Sequence, residues 1–271
     1  MLDRTASFIL DKLYSKTLIG QSGGKINYYL NKSAIPDVVI MGDSRAYYEV
    51  NPDSFRCTCF NLAHAGMDDC FQLGLIDLLI QQHKTPKIIL LHVEPYFLVY
   101  KDSLPFYSQD ILTLKYFYGI NDTITNLVNH ISRFEKWKYA LKSYRYNGRI
   151  ISLIKNYKTT ISTPNYATNG FDFVPASKSD SMTTEMSANK QLEGAVYFNR
   201  SKTRYLESII KLAKQNGIRL VFFTSPYFYK LNMDYIKPGR IFLDSIASAN
   251  KISYLDYSDI KMNKEFQNPS Y

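Results

Sequence analysis

Ser44 occupies a position where a nucleophile could work. It follows the sequence Val-Val-Ile-Met-Gly-Asp at 38–43. A short apolar run of this kind is typical of a strand buried on both faces of a parallel sheet, and a helix is predicted to begin directly after it. The Ser44 hydroxyl would then lie at the end of a strand, and its backbone N–H at the positive end of a helix dipole. This geometry suits a nucleophile whose attack creates an oxyanion, although a serine here could also serve only as a helix cap.

Other polar residues follow later predicted strands in the same way. His64 and Gly66 come after the second strand, Glu94 after the third and Ser225 after the fourth. The carboxyl ends of parallel strands meet at one edge of a sheet, where ligands bind in open α/β folds. We therefore expect these residues to lie near Ser44.

The elements that must position these residues alternate between strand and helix. Strands are predicted at Asp37–Met41, Cys57–Leu62, Pro86–Val93, Ile218–Thr224 and Ile252–Leu255. Helices are predicted at Asp68–His83, at Arg200–Gln215 with Gly217 as its C-terminal cap, and over most of Asp234–Asn250, while residues 1–33 suggest one helix followed by a glycine-containing loop. The alternation predicts an α/β fold in which helices cover both faces of a mostly parallel sheet.

The alternation stops between residues 97 and 190. Helical stretches are predicted at about 108–157, and a Ser/Thr/Asn-rich stretch without clear periodicity occupies 159–190. Because the strand–helix pattern resumes afterwards, we interpret 97–190 as a large, mainly helical insertion or lid within a single domain spanning 1–271.

Composition and charge narrow the possible partners. A hydrophobic content of 45% with 21% charged residues indicates a folded chain, and the net charge of +9 favours an acidic partner. Residues 133–158 contain eight basic residues and one acidic residue, interleaved with aromatic and isoleucine side chains. This segment could contact a membrane surface or an acidic glycan, or it could be a solvated helix face. No nucleic-acid-binding motif accompanies the charge, so nucleic acid is not an expected partner.

The tyrosines and cysteines have alternative interpretations too. The 23 tyrosines would suit a hydroxylated ligand such as a sugar, or they could fill the core. The three cysteines are interpreted as small buried residues, and the spacing of cysteines and histidines predicts neither a metal site nor a cofactor.

Two sequence blocks resemble those of the SGNH/GDSL hydrolases. Gly42-Asp43-Ser44-Arg45 is similar to the first block, whose serine is the nucleophile, and Asn61-Leu62-Ala63-His64-Ala65-Gly66 is similar to the second, whose glycine offers an oxyanion-hole N–H. The resemblance is to the envelope-associated branch that modifies bacterial polysaccharides, and it covers 35–96 well and 200–259 loosely. It implies a flavodoxin-like three-layer α/β sandwich and a location in the cell envelope or periplasm, although no signal sequence or membrane anchor is visible in the chain.

The resemblance and the strand ends together define the candidate site. Catalytic roles are expected for Ser44, Gly66 and His64, with His64 as a substitute general base. Substrate-binding roles are expected for Asp43, Arg45, Asn61, Glu94 and Ser225. His92, near the end of the third strand, is expected to pack within the sheet.

The chain departs from the family pattern at two points. The third block of the family carries an oxyanion-donating Asn, but Glu94 occupies the matching position, and an ionised carboxylate only accepts hydrogen bonds. Glu94 could instead stay protonated, bind a substrate hydroxyl, pair with Arg45 or simply bond to nearby loops. The family's final Asp-x-x-His block would begin near Asn268, and no histidine follows His130. We therefore expect a truncated form with little or no activity, and a C-terminally extended form that gains a histidine and hydrolyses acetyl esters.

Two functions remain open from the sequence. The first is a serine ester hydrolase or O-acyltransferase that acts through Ser44 on acylated polysaccharides, with acidic polysaccharides included among them. The alternative is a non-catalytic protein of the same fold that binds a glycan or an envelope partner. The sequence does not define the oligomeric state.

Overall fold

The computed structural model describes residues 2–100, 109–162, 169–172, 197–198, 200–226 and 236–258. The expected polar stretch at 159–190 and the chain end around Asn268 lie largely or wholly outside these residues. Among the described residues, no helix is both long and apolar enough to cross a membrane.

The strands form two sheets. They are β1 (Val38–Met41), β2 (Cys59–Asn61), β3 (Ile88–His92), β4 (Val99–Tyr100), β5 (Tyr197–Phe198), β6 (Arg219–Thr224) and β7 (Ser253–Asp256). The main sheet has the order β2-β1-β3-β6-β7 and is parallel throughout, whereas β4 and β5 form a separate antiparallel pair. The predicted α/β fold with a parallel central sheet is thus confirmed.

The helices connect the strands. They are α1 (Leu2–Ser15), α2 (Lys25–Leu30), α3 (Ser44–Glu49), α4 (Asp69–Gln81), α5 (Asp122–Ile131), α6 (Glu135–Lys138), α7 (Ile150–Ser162), α8 (Arg200–Gln215) and α9 (Lys237–Ala249). Short 3₁₀ helices lie at Pro52–Ser54, Pro95–Leu98, Asp110–Phe117 and Lys142–Tyr146.

The core lies where α4 and α8 pack against each other beside the parallel strands. Four apolar residues of α8 recur at helical spacing and are buried: Leu206, Ile209, Ile210 and Ala213. Strand β1 is buried along its full length, as its apolar run predicts. Gly217 adopts a φ of +67° just beyond α8, and the N–H of Ile218 donates to Ala213 O, so the predicted cap is confirmed.

The N-terminal segment differs from its prediction. In place of one helix and a loop, α1 is followed by a π-helical turn at Gly20–Gly24 and by α2. The N–H of Lys25 donates to Gly20 O, five residues earlier, which closes the turn. A Cβ on Gly24 would come within 2.0 Å of Ile19 O, so the glycine allows two backbone segments to meet. The glycines therefore mark a tight turn between two helices.

Two other predictions were wrong in part. Cys70 is buried as expected, but Cys57 is exposed and Cys59 is half-buried, because β2 begins only at Cys59 and Cys57 precedes it. Arg145 was counted in the basic surface at 133–158, yet it is only 4% exposed. Its guanidinium donates to both carboxylate oxygens of Asp11 at 3.0 Å and to Tyr116 O at 3.0 Å. Arg145 therefore links α1 to the 3₁₀ helices at Asp110–Phe117 and Lys142–Tyr146.

Candidate functional site

The turn after β1 presents Ser44 at the carboxyl edge of the sheet. The Asp43 carboxylate caps α3 by accepting a hydrogen bond from the Arg45 N–H at 2.9 Å, and Ser44 is the first residue of the helix. Ser44 is half-buried, and its hydroxyl makes no hydrogen bond to any residue that the structure describes. The cap is therefore Asp43, which leaves the Ser44 hydroxyl available.

Gly42 brings this turn against the end of β3. Its φ is +137°, and a Cβ at this position would lie 2.5 Å from the Cβ of His92. Its carbonyl oxygen accepts hydrogen bonds from the His64 N–H at 3.0 Å and from the buried Gln72 amide at 2.9 Å. The turn is thus fixed on both sides, and only glycine fits at 42.

Asp43 and His92 form a buried pair across neighbouring strands. The His92 Nδ1 lies 3.0 Å from the Asp43 Oδ1, and the Ser225 N–H donates to the His92 Nε2 at 3.3 Å. Because Nε2 accepts a hydrogen bond, the proton of the neutral ring is on Nδ1, which faces the carboxylate. Burial raises the pKa of Asp43, but the hydrogen bonds from His92 and from the Arg45 N–H outweigh it and hold the pKa of Asp43 below its usual value. His92 packs within the sheet, as predicted, and also orients Asp43.

Arg45 and Glu94 form the second ion pair of the site. The guanidinium lies 3.3 Å from the Glu94 carboxylate and 3.3 Å from Glu49, and it also donates to the carbonyl of Pro226. Burial raises the pKa of Glu94, and the positive charge of Arg45 opposes that rise. Of the alternatives considered for Glu94, the structure shows two: the pairing with Arg45, and a bond to the following loop, whose Tyr96 N–H donates to the carboxylate at 3.3 Å.

The second sequence block gives His64 a defined tautomer. Its Nδ1 lies 2.8 Å from Leu62 O, and because a carbonyl only accepts, the proton is on Nδ1 and Nε2 keeps the basic lone pair. The ring is buried and packs against Phe71. Gly66 lies on an exposed turn with a φ of +76°, and a Cβ there would meet nothing within 4 Å.

Asn61 has a structural role that the sequence did not indicate. Its amide donates to Ala46 O at 2.7 Å and to Val50 O at 2.9 Å, and its Oδ1 accepts from the Ala63 N–H at 3.0 Å. The side chain is fully buried, and these bonds satisfy carbonyls at the end of α3. We therefore infer that Asn61 holds α3 against the second sequence block, which is a structural role and not a substrate-binding one.

Asp43, His92 and Glu94 also have the composition of a metal site. One ligand atom from each lies within 4.8 Å of the others, and this is the one such group among the described residues. The chemistry does not fit a metal, however, because the His92 Nδ1 carries a proton and Arg45 already supplies positive charge to Glu94. We interpret the group as a charge network that orients the Ser44 turn.

Lys25 lies beside the site, and the sequence did not indicate this. It is 8% exposed, its ammonium donates to Ala63 O at 2.7 Å, and it lies 3.8 Å from the ring centroid of Tyr47 in α3. Burial lowers the pKa of Lys25 to about 6, although Asp172 works in the other direction. It lies directly after glycines that were predicted to form a loop, and no local signal in the sequence indicated its burial.

We expect Lys25→Met to change how stability depends on pH. The pKa of Lys25 is lower in the folded state than in the unfolded state, so the unfolded state binds more protons between about pH 6 and pH 10. The stability of the wild type should therefore rise with pH relative to Lys25→Met, by up to about 1.4 kcal/mol per pH unit. Urea unfolding at pH 6, 7, 8 and 9 measures this, with the exposed Lys16→Met as control. Parallel curves for the wild type and Lys25→Met would contradict the expectation.

Comparison of the chain with models of protein families, and with curated proteins, finds no match. A function can therefore be inferred only from the two sequence blocks and from the geometry of the turn.

Proposed function

We propose that this protein is an SGNH-type serine ester hydrolase or O-acyltransferase that acts on acylated glycans. One observation carries the proposal. The Ser44 hydroxyl lies at the carboxyl edge of a parallel sheet and makes no hydrogen bond to a described residue, while Asp43 and Arg45 on either side of it are held by His92 and Glu94. Such fixed surroundings preorganise a nucleophile.

In the proposed reaction, the Ser44 Oγ attacks the carbonyl carbon of an acyl ester. Its proton passes to the His64 Nε2, and the N–H groups of Ser44 and Gly66 bind the oxyanion. The bond to the sugar oxygen then breaks, the sugar oxygen takes the proton, and an acyl-Ser44 remains. Attack by water regenerates the serine in a hydrolase, and attack by another sugar hydroxyl does so in an acyltransferase. Arg45, Glu94 and Ser225 would line the substrate side of this edge.

The finer features of the fold belong to the same proposal. They are a flavodoxin-like three-layer sandwich and an insertion or lid at 97–190, within one domain of a cell-envelope protein. The exposed Trp137 and Ile151, at 76% and 85%, support membrane-surface contact through 133–158. An acylated, acidic polysaccharide fits the net charge of +9.

The alternative is a non-catalytic glycan- or partner-binding protein with the same fold. Two observations favour it. Glu94 stands where the family has an oxyanion donor, and His92 accepts a hydrogen bond from Ser225 at Nε2 while its Nδ1 lies 3.0 Å from Asp43. In that case Ser44 would not be activated.

A serine-directed fluorophosphonate probe distinguishes the two functions. If Ser44 is the nucleophile, the probe should modify the folded protein once, at Ser44, as measured by intact-mass spectrometry and peptide mapping. Ser44→Ala should abolish the labelling, whereas Ser54→Ala, which changes an exposed serine in the neighbouring 3₁₀ helix, should leave it intact. Absence of labelling in folded protein, or labelling that survives Ser44→Ala, would favour the binding protein.

A further inference from the structure

A second candidate site lies away from Ser44. It is a cleft of about 460 Å³ between α1, the Gly20–Gly24 turn, the 3₁₀ helix at Asp110–Phe117 and α7. None of its lining residues belongs to the ion pairs around Ser44. A cleft of this size falls in the range of small-molecule sites.

Two cations, Lys115 and Arg149, line the cleft and form no ion pair with any residue that the structure describes. Burial and the charge of Arg149 lower the pKa of Lys115, and the charge of Glu135 opposes them. The single acidic residue of the lining, Glu135, pairs with Lys138 at 2.6 Å. With Lys115, Lys138 and Arg149 against Glu135, the lining carries net positive charge, which favours an anionic ligand.

The remaining surface of the cleft suits a hydroxylated ring. Tyr14 stacks on Tyr116 with ring centroids 4.3 Å apart, and both line the cleft with Tyr139 and Tyr144. Tyr14 is 7% exposed, and its hydroxyl has no hydrogen-bond partner in the part of the chain that the structure describes. Aromatic faces with polar tips stack on sugar rings and bond to their hydroxyls, and a buried hydroxyl gains from such a bond.

The walls of the cleft are held in place. The buried Arg145 joins Asp11 of α1 to Tyr116 O, and Tyr146 donates to Asp11 at 2.5 Å. On the opposite side, Gly20 has a φ of +94°, and a Cβ there would lie 3.3 Å from the Asn156 amide. A site with fixed walls loses less entropy when it binds a ligand.

We infer that this cleft binds an acidic sugar, with Lys115 and Arg149 holding its carboxylate or phosphate and the tyrosines contacting its ring. The inference goes beyond the acyl chemistry proposed for Ser44 and does not depend on it. It locates the proposed preference for an acidic glycan in this cleft.

Calorimetric titration of the full chain tests the inference with four probes. They are a glucuronate-containing tetrasaccharide, glucose 6-phosphate, inorganic phosphate and the neutral cellotetraose. We expect saturable binding of one of the acidic sugars with a Kd below about 1 mM, and much weaker binding of phosphate alone and of cellotetraose. The two acidic sugars distinguish a carboxylate ligand from a phosphate ligand.

Variants then locate the binding. Arg149→Gln and Lys115→Gln should each weaken binding by about tenfold or more, because each removes a charge-assisted hydrogen bond. Lys155→Gln, an exposed cation on α7 that does not line the cleft, should leave the Kd unchanged, and so should Ser44→Ala. Tyr14→Phe removes only the hydroxyl and should weaken binding less than Arg149→Gln does. Thermal melting checks that each variant is folded.

Three results would overturn the inference. They are cellotetraose or inorganic phosphate binding as tightly as the acidic sugars, Lys155→Gln weakening binding as much as Arg149→Gln, and neither acidic sugar binding to folded wild-type protein. Because Ser44→Ala is titrated in parallel, the two proposals can fail independently. Absence of acidic-sugar binding would not contradict the proposed esterase, and absence of probe labelling at Ser44 would not contradict the proposed sugar site in the cleft.

Discussion

Gly42→Ala is expected to destabilise the protein by about 2–4 kcal/mol, because it combines backbone strain with a steric overlap. The φ of +137° is one that side-chain-bearing residues rarely adopt, and the new Cβ would lie 2.5 Å from the Cβ and 3.3 Å from the Cα of His92. Neither atom belongs to the flexible end of a side chain, so the turn or β3 must move. Chemical denaturation of the two proteins measures the loss. Since the same turn carries Ser44, labelling by the fluorophosphonate should fall as well.

Gly66→Ala is the matched control. Its φ of +76° is also unfavourable for alanine, but the added Cβ meets nothing within 4 Å. We expect a cost of only about 1 kcal/mol from the backbone conformation, with the N–H proposed for the oxyanion retained. Equal costs at the two glycines would show that contact with His92 plays no part.

Arg45→Met is expected to cost about 3 kcal/mol at neutral pH, because it leaves the Glu94 carboxyl buried without its cation. Arg45 holds Glu94, Glu49 and the carbonyl of Pro226 at once, so its loss also leaves a carbonyl without its donor. The free energy of unfolding, from urea titration at neutral pH, gives the size of the effect.

Glu94→Gln separates the buried charge from the other contacts of Arg45. The double variant Arg45→Met/Glu94→Gln should be less destabilised than Arg45→Met alone, because an amide is cheaper to bury than an unpaired carboxylate. The deficit of Arg45→Met should also shrink as the pH is lowered, since protonation of Glu94 removes the buried charge. A deficit that is independent of pH and additive with Glu94→Gln would show that the ion pair contributes nothing.

Local sequence patterns predicted the repeating elements well. The buried run of β1 and the helical spacing of α8 are properties of consecutive residues, so the structure places α8 at the predicted Arg200–Gln215. Helix α2 was missed because it is short, follows three glycines and is buried through Lys25, Ile26, Asn27 and Tyr29 without an exposed face. Amphipathic periodicity cannot identify such a helix.

The site was predictable only in part. Parallel topology indicated that the strand ends would share one edge, and β1 and β3 do pair, with Met41 opposite Leu91. The partners within that edge depend on contacts between distant residues: Asp43 with His92, Arg45 with Glu94 and Pro226, and Lys25 with Ala63. A single sequence gives the types of these residues but not their pairing, so His92 and Lys25 received no site role and the bonds of Asn61 to α3 were not predicted.

The antiparallel pairing of Val99 with Phe198 and of Tyr100 with Tyr197 has a consequence for engineering. The chain returns beside the point at which it left, at a separation of about 4.8 Å between paired strands. A two-residue hairpin turn spans that gap, so β4 and β5 could be joined directly without stretching the parallel sheet. Such a shortened chain would lose Lys115 and Arg149 but keep the Ser44 turn and Tyr14. It would also lose buried residues of the main core, namely Ile111, Leu114, Ile124 and Val128. The excursion is therefore part of the fold, and replacing it requires that the core be repacked.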